Sequence, residues 1–143
     1  MTLKIYSASE HSFSFAAIPI DTGRGEDEFL SWEQKEENFS VKVGVDGETT
    51  RNEMKNNYTE LTLTLMQTSS SNAILSAILN GDIKLAGGSG VGPLMVRDRQ
   101  GTTALLTPEA FILGPPAQKR GKEVGTLAWK FGVVNPTRLD GGS

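Results

Sequence analysis

Three stretches of this chain alternate apolar and polar residues with a period of two, the mark of a half-buried strand. In Tyr58–Gln67, Leu61, Leu63 and Leu65 lie on one face and Glu60, Thr62 and Thr64 on the other. In Phe39–Asp46, Phe39, Val41, Val43 and Val45 alternate with Ser40, Lys42, Gly44 and Asp46, which predicts a strand with one buried face. In Glu123–Val134, Leu127, Trp129, Phe131 and Val133 share a face opposite Thr126, Ala128 and Lys130. A different period follows the first of these stretches. Ile74, Leu75, Ile78 and Leu79 fall on one side at helical spacing, with Ser69, Ser70 or Ser71 available as an N-cap and Gly81 placed for a left-handed C-terminal cap.

The remaining segments read as short strands and turns. Leu3 with Ile5, then Phe13 with Phe15, predict two strands in the first twenty residues. Pro19 between Ile18 and Ile20 marks an edge, because proline has no N–H for a central ladder. Asp21–Gly25 has the composition of a turn, and a strand is expected over Glu28–Gln34 with a solvated acidic face. Asp46-Gly47 is a strong turn signal, and the polar run from Gly47 to Asn57 reads as a long loop. Leu94–Val96 and Thr102–Leu106 predict a strand pair around an Asp98–Gly101 turn. A further strand follows over Pro108–Leu113, ended by Gly114-Pro115-Pro116. Asn135-Pro136 stops the last strand, and residues 136–143 are expected to be a flexible tail. Many strands at short spacing with one short amphipathic helix predict a mainly β chain, an antiparallel β-sandwich or barrel with the helix packed at an end or edge.

Composition narrows the function more than the fold. The length of 143 residues favours a single domain, 1–143. A hydrophobic content of 37% and 16 glycines suit a chain whose surface orders partly against other chains. The formal charge of −3 argues against a general nucleic-acid-binding patch. There is no cysteine, which removes disulfides, thiolate catalysis and cysteine metal sites. No apolar run reaches membrane-spanning length and the N-terminus lacks a signal-peptide core, so membrane insertion is not expected and a cytoplasmic origin is. The sequons at Asn38 and Asn57 then carry no weight.

No motif calls for catalysis, a metal or a cofactor. The carboxylates Glu26, Asp27, Glu28, Glu33, Glu36 and Glu37 lack ion-binding spacing, and an ordinary charged surface is the better reading. Gly87–Gly92 lacks the lysine of a phosphate loop, and Pro93 stands where a dinucleotide fingerprint needs its third glycine. Lys119–Lys122 reads as a solvated turn. His11 is the sole histidine, has no nucleophile motif beside it and is expected on the surface. Trp32 and Trp129 are expected as core or interface anchors.

Three blocks, taken in order, carry a resemblance: FSVKVGVDGETTRNEM (Phe39–Met54), LTLTLMQTSSSNAILSAI (Leu61–Ile78), and the pair MVRDRQGTT with GKEVGTLAWKFGV (Met95–Thr103 and Gly121–Val133). Together they resemble the inner tail tube proteins of contractile-tailed bacteriophages, the PhiTE-type tube proteins, over residues 26–134. The resemblance implies a virion protein assembled in the host cytoplasm, without catalysis or cofactor. It implies hexameric rings, stacked helically into a tube whose lumen is lined by strands from every subunit. The implied partners are further copies of the chain, a contractile tail sheath protein, the baseplate hub and the tape-measure protein, with DNA passing transiently and non-specifically.

Within that expectation, Asp46, Gly47, Glu48, Arg51, Glu53 and Lys55 are assigned to ring stacking. Glu28, Glu33, Glu60, Thr62 and Thr64 are assigned to the lumen. Two other readings remain open: the tube protein of a phage-like contractile injection device, which differs in what passes through it, and a monomeric ligand-binding β-sandwich. Of aromatic residues for a binding groove, the latter has only Trp32, Trp129, Tyr6 and Tyr58.

Overall fold

The computed structural model describes residues 3, 6, 11–20, 29–55, 57–85, 87, 88, 90–99 and 101–141. Ten strands and one helix follow in the order β1 (His11–Phe15), β2 (Ile18–Pro19), β3 (Leu30–Gln34), β4 (Phe39–Val43), β5 (Thr49–Glu53), β6 (Thr59–Met66), α1 (Ser71–Lys84), β7 (Gly92–Asp98), β8 (Ala104–Gly114), β9 (Thr126–Val133) and β10 (Thr137–Leu139). Eight strands make one antiparallel sheet in the order β2-β1-β7-β8-β9-β6-β3, with β10 also pairing with β8. β4 and β5 form a separate two-stranded sheet.

The alternating leucines of β6 set the register of the core. Leu61, Leu63 and Leu65 stand opposite Phe131, Trp129 and Leu127 of β9, and all six are buried. The same face continues through Ile112 and Leu105 of β8, Leu94 and Val96 of β7, and Phe13 and Phe15 of β1. Three strand spacings separate β1 from β9, about 14 Å in a flat sheet. Yet the Phe15 and Phe131 rings lie 5.1 Å apart and Phe13 and Phe131 5.6 Å apart. The sheet is therefore strongly curled, and its concave face closes on itself to make the core. Among the described residues β2 and β3 do not pair, so the curl stops short of the closed barrel that was one of the expected forms.

The helix seals one end of this core. Leu75 and Leu79 are buried, Ile78 packs partly against the core, and Ile74 lies outside the seam. The Trp129 indole Nε1 donates to Asn72 Oδ1 at 3.0 Å, and Asn72 Nδ2 donates to the Met66 carbonyl at 2.9 Å. One side chain thus ties α1 to both β6 and β9. The helix runs past Gly81, the expected stop, to Lys84, because one glycine inside a helix costs only about 1 kcal/mol. The Ser69 hydroxyl accepts from the Ser71 N–H at 3.3 Å, ahead of the first turn.

Two other expectations change. Residues 104–114 form one strand through Pro108 instead of two, because a bulge between β7 and β8 falls at that position. Residues 137–139 of the expected flexible tail pair with β8, where Thr137 stands opposite Leu106 and Leu139 opposite Ala104. The Thr103 hydroxyl also donates to the Gly141 carbonyl. Of the expected first strand only Leu3 is described, and it is exposed; Ile5 and the Asp21–Gly25 turn lie outside the described residues.

Candidate functional site

The segment between β3 and β6 departs most from its sequence pattern. The polar run after Gly47 is not a loop: Thr49–Glu53 pairs back onto β4, with Val43 opposite Thr49, Val41 opposite Arg51 and Phe39 opposite Glu53. The turn is closed by Gly44 N–H to the Glu48 carbonyl and by the Asp46 carboxylate accepting from the Glu48 N–H. Gly47 takes φ +84°, which a side chain would disfavour. The expected buried face of β4 is open to solvent instead. Val41 is 66% exposed, Val43 62%, and Val45 and Phe39 are exposed too. A strand with an apolar face needs another surface to cover it, and among the described residues β4 pairs only with β5. The Arg51 guanidinium lies over the Phe39 ring, 4.4 Å from its centroid, so the proximal part of that face carries a cation.

The base of the hairpin is tied down by polar groups. Gln34 Nε2 donates to Asn38 Oδ1, Asn38 Nδ2 donates to Asn57 Oδ1, the Met54 N–H donates to the Asn38 carbonyl, and the Lys35 N–H donates to the Tyr58 carbonyl. These bonds join the ends of β3, β4, β5 and β6, so the arm leaves the body in a set direction. Of the residues assigned to stacking, Asp46, Gly47 and Glu48 form the tip, Arg51 and Glu53 lie on β5, and Lys55 follows it.

The outer face of the curled sheet divides in two. Over β3, β6 and β9 it is polar. Glu33 stands opposite Glu60, Ser31 opposite Thr62, Thr62 opposite Lys130 and Thr64 opposite Ala128. The Lys35 ammonium reaches Glu60 at 3.2 Å, which offsets the repulsion of two adjacent carboxylates. Glu33, Glu60, Thr62 and Thr64 thus share one face, as a common role requires; Glu28 lies outside the described residues. Gly132 is buried in this face because Tyr58 and Phe111 lie over it, leaving no room for a Cβ. Burial, and next the Glu60 carboxylate, raise the Tyr58 phenol above its usual 10.0, with Lys35 opposing.

Over β7, β8 and β10 the outer face carries an apolar patch. Met95 stands opposite Leu106, Leu106 opposite Thr137 and Ala104 opposite Leu139, and Met95, Leu106 and Leu139 are all exposed. The sequence reading missed this patch. Met95 sits in the unbroken apolar run Leu94-Met95-Val96, and that run was the available signal.

His11 is not the surface residue expected. It pairs across the ladder with Asp98 at the rim of the core, its side chain is 13% exposed, and its Nε2 lies 3.7 Å from Asp98 Oδ2. The Tyr6 and Phe29 rings flank it. Among the described residues, no three of His, Cys, Asp and Glu are grouped to hold a metal ion. No helix among them is long and apolar enough to cross a membrane. The acidic residues Glu33, Glu36 and Glu37 line a polar depression, open to solvent, with Arg138 and Asp140, and Arg138 is paired to Asp140 at 3.0 Å. The surfaces that stand out are therefore the exposed hairpin, the two-part outer face and the edge strands β2 and β3.

Comparison with known proteins gives these surfaces a context. "Structural protein ORF10" of Pseudomonas phage KPP10 is 29% identical over 122 residues, which span 85% of this chain and 70% of that protein. The cryo-EM structure of the anti-feeding prophage cap, described as a tube terminating cap, superposes with a TM-score of 0.66 at 11% identity, covering 97% of this chain and 93% of the other. The model of the family described as bacteriophage PhiTE tail tube protein matches residues 12–139. That match spans the sheet, the hairpin and the helix, and this chain belongs to the PhiTE tail tube protein family.

Proposed function

We propose that this chain forms hexameric rings that stack helically into the inner tube of a contractile phage tail, the conduit for DNA during ejection. The single observation that carries the assembly reading is the β4–β5 hairpin, whose alternating valines are exposed on an arm of defined direction. Such a face is a liability on a monomer and a binding surface in a polymer. The edges β2 and β3 support ring closure, since each offers main-chain groups to a neighbouring sheet. In this reading the stacking contacts come from Asp46, Gly47, Glu48, Arg51, Glu53 and Lys55 on the hairpin. The polar half of the outer face, with Glu33, Glu60, Thr62 and Thr64, lines the lumen.

That half carries Lys35 and Lys130 beside its two glutamates, so it holds no surplus of positive charge. DNA phosphates gain little from such a surface, as sliding requires. The sheath protein, baseplate hub and tape-measure protein are the further partners of this tube. A second reading, the tube of a contractile injection device, is favoured by the fold shared with the anti-feeding prophage cap and differs only in cargo.

Negative-stain electron microscopy at rising protein concentration, beside size-exclusion chromatography, tests the assembly. Rings or hollow tubes with six-fold end views are expected. A protein that stays monomeric even with purified baseplates as nuclei overturns the proposal, and a tail tube isolated without packaged DNA in its particles selects the injection device.

A further inference from the structure

Among the exposed apolar residues described, two groups lie on paired strands: the distal part of the β4–β5 hairpin, and the outer-face patch of Met95, Leu106 and Leu139. Their shapes differ. The hairpin is a narrow arm of two five-residue strands, whereas the patch lies on a sheet, where directly opposed and diagonal side chains sit within reach of one another. Their charges also differ. The arm ends in Asp46 and Glu48, and the patch is bordered by exposed Arg97, opposite Ala104 on β8, with exposed Arg99 beyond it. The one cation on the valine face of the arm, Arg51, is drawn back over Phe39 toward the base. The part nearest the tip, with Val43 opposite Thr49, is therefore uncharged on the face that must be covered.

We propose that the patch on β7, β8 and β10 receives the valine face of the hairpin from a second copy of this chain, with Asp46 and Glu48 meeting Arg97. The inference rests on the reading that the chain self-assembles, and it identifies the surface that the hairpin meets. The contact is heterologous: each copy offers one arm and one acceptor, so pairing leaves an unused arm and an unused acceptor and propagates. One hairpin buries less than the roughly 1,200–2,000 Å² of a stable pairwise interface. The contact holds only when many act together, so the subunit stays soluble alone and gathers at concentration.

The absence of cysteine makes the test direct. Val43→Cys and Leu106→Cys are made in separate copies, mixed at assembling concentration and oxidised. Thr62→Cys on the polar half of the same face is the control acceptor. Val43→Cys is expected to form a mixed disulfide with Leu106→Cys about tenfold faster or more than with Thr62→Cys, because docking raises the local thiol concentration. In a second arm, Arg97→Glu weakens assembly in light scattering, and Asp46→Arg with Glu48→Arg in the same chain restores it. Equal crosslinking to the two acceptors, or to neither, in samples where tubes are visible overturns the docking while leaving self-assembly standing. Wild-type protein that forms no oligomer at any concentration removes both.

Discussion

β4 and β6 carry nearly the same pattern and meet opposite fates. Phe39, Val41 and Val43 alternate as regularly as Leu61, Leu63 and Leu65, yet the valines are exposed and the leucines have no exposure at all. Both strands are antiparallel and both have an ordered partner. The difference lies in what stands over the apolar face. β6 lies between β3 and β9 in a curled sheet, so its leucines meet other core side chains and the helix. Among the described residues β4 has only β5, a polar strand reading TTRNE, and no other layer covers it. A period of two thus states that a face needs covering, and is silent on whether the cover comes from the same chain.

The sharpest way to break this comparison is to truncate one residue from each strand. Leu63→Ala is expected to cost about 2–5 kcal/mol of folding stability, because it leaves a cavity beside Trp129. Val43→Ala is expected to stay within about 0.5 kcal/mol of wild type. Urea unfolding of both variants at a concentration below assembly measures the contrast. A large loss for Val43→Ala would mean that the hairpin is part of the monomer's cooperative unit.

A smaller effect is expected where the outer face is packed rather than open. The Cβ of Gly132→Ala would fall 2.7 Å from Phe111 and 2.8 Å from the Tyr58 hydroxyl, so a ring must move. A loss of about 1–3 kcal/mol in the same assay is expected. No loss would make this part of the face as yielding as the hairpin.

The smallest effect sits at the joint between the two regions. Tyr58 follows the hairpin and precedes β6, and its phenol is raised above 10.0 by burial and by Glu60. The folded state therefore holds this proton more tightly than the unfolded chain. The associated stability is fully present below the unfolded value of 10.0 and is lost as pH rises through the folded value. Thermal melts at stepped alkaline pH are expected to fall less steeply for Tyr58→Phe than for wild type. Identical slopes would remove Tyr58 as the cause.

Much of the body was legible because local periodicity and burial agree there. The strands β6 and β9 and the helix appear where the residue pattern puts them. The helix overran Gly81 because packing of Leu75 and Leu79 outweighs one glycine's propensity, and Pro108 was absorbed by a bulge that no local rule announces. Of the candidate sites, Glu60, Thr62 and Thr64 share a face by alternation along one strand, and Glu33 joins them only through the β3–β6 pairing. The hairpin residues were picked out as a polar loop, although they form a paired strand. The apolar patch at Met95, Leu106 and Leu139 escaped notice because its three members come from three strands, one of them, β10, distant in sequence from the other two.

The amino-acid sequence by itself determined the strand-rich class, the single amphipathic helix, the absence of thiol chemistry and the resemblance to tail tube proteins. These rest on residue identity and near-neighbour spacing, which a chain carries before it folds. Only the tertiary structure decided that the sheet curls without closing, that residues 137–139 join β8, and that the valines of β4 face solvent while the leucines of β6 do not. The reason is physical. Burial belongs to a pair of surfaces, and the second surface is set by long-range strand order, which no local pattern encodes.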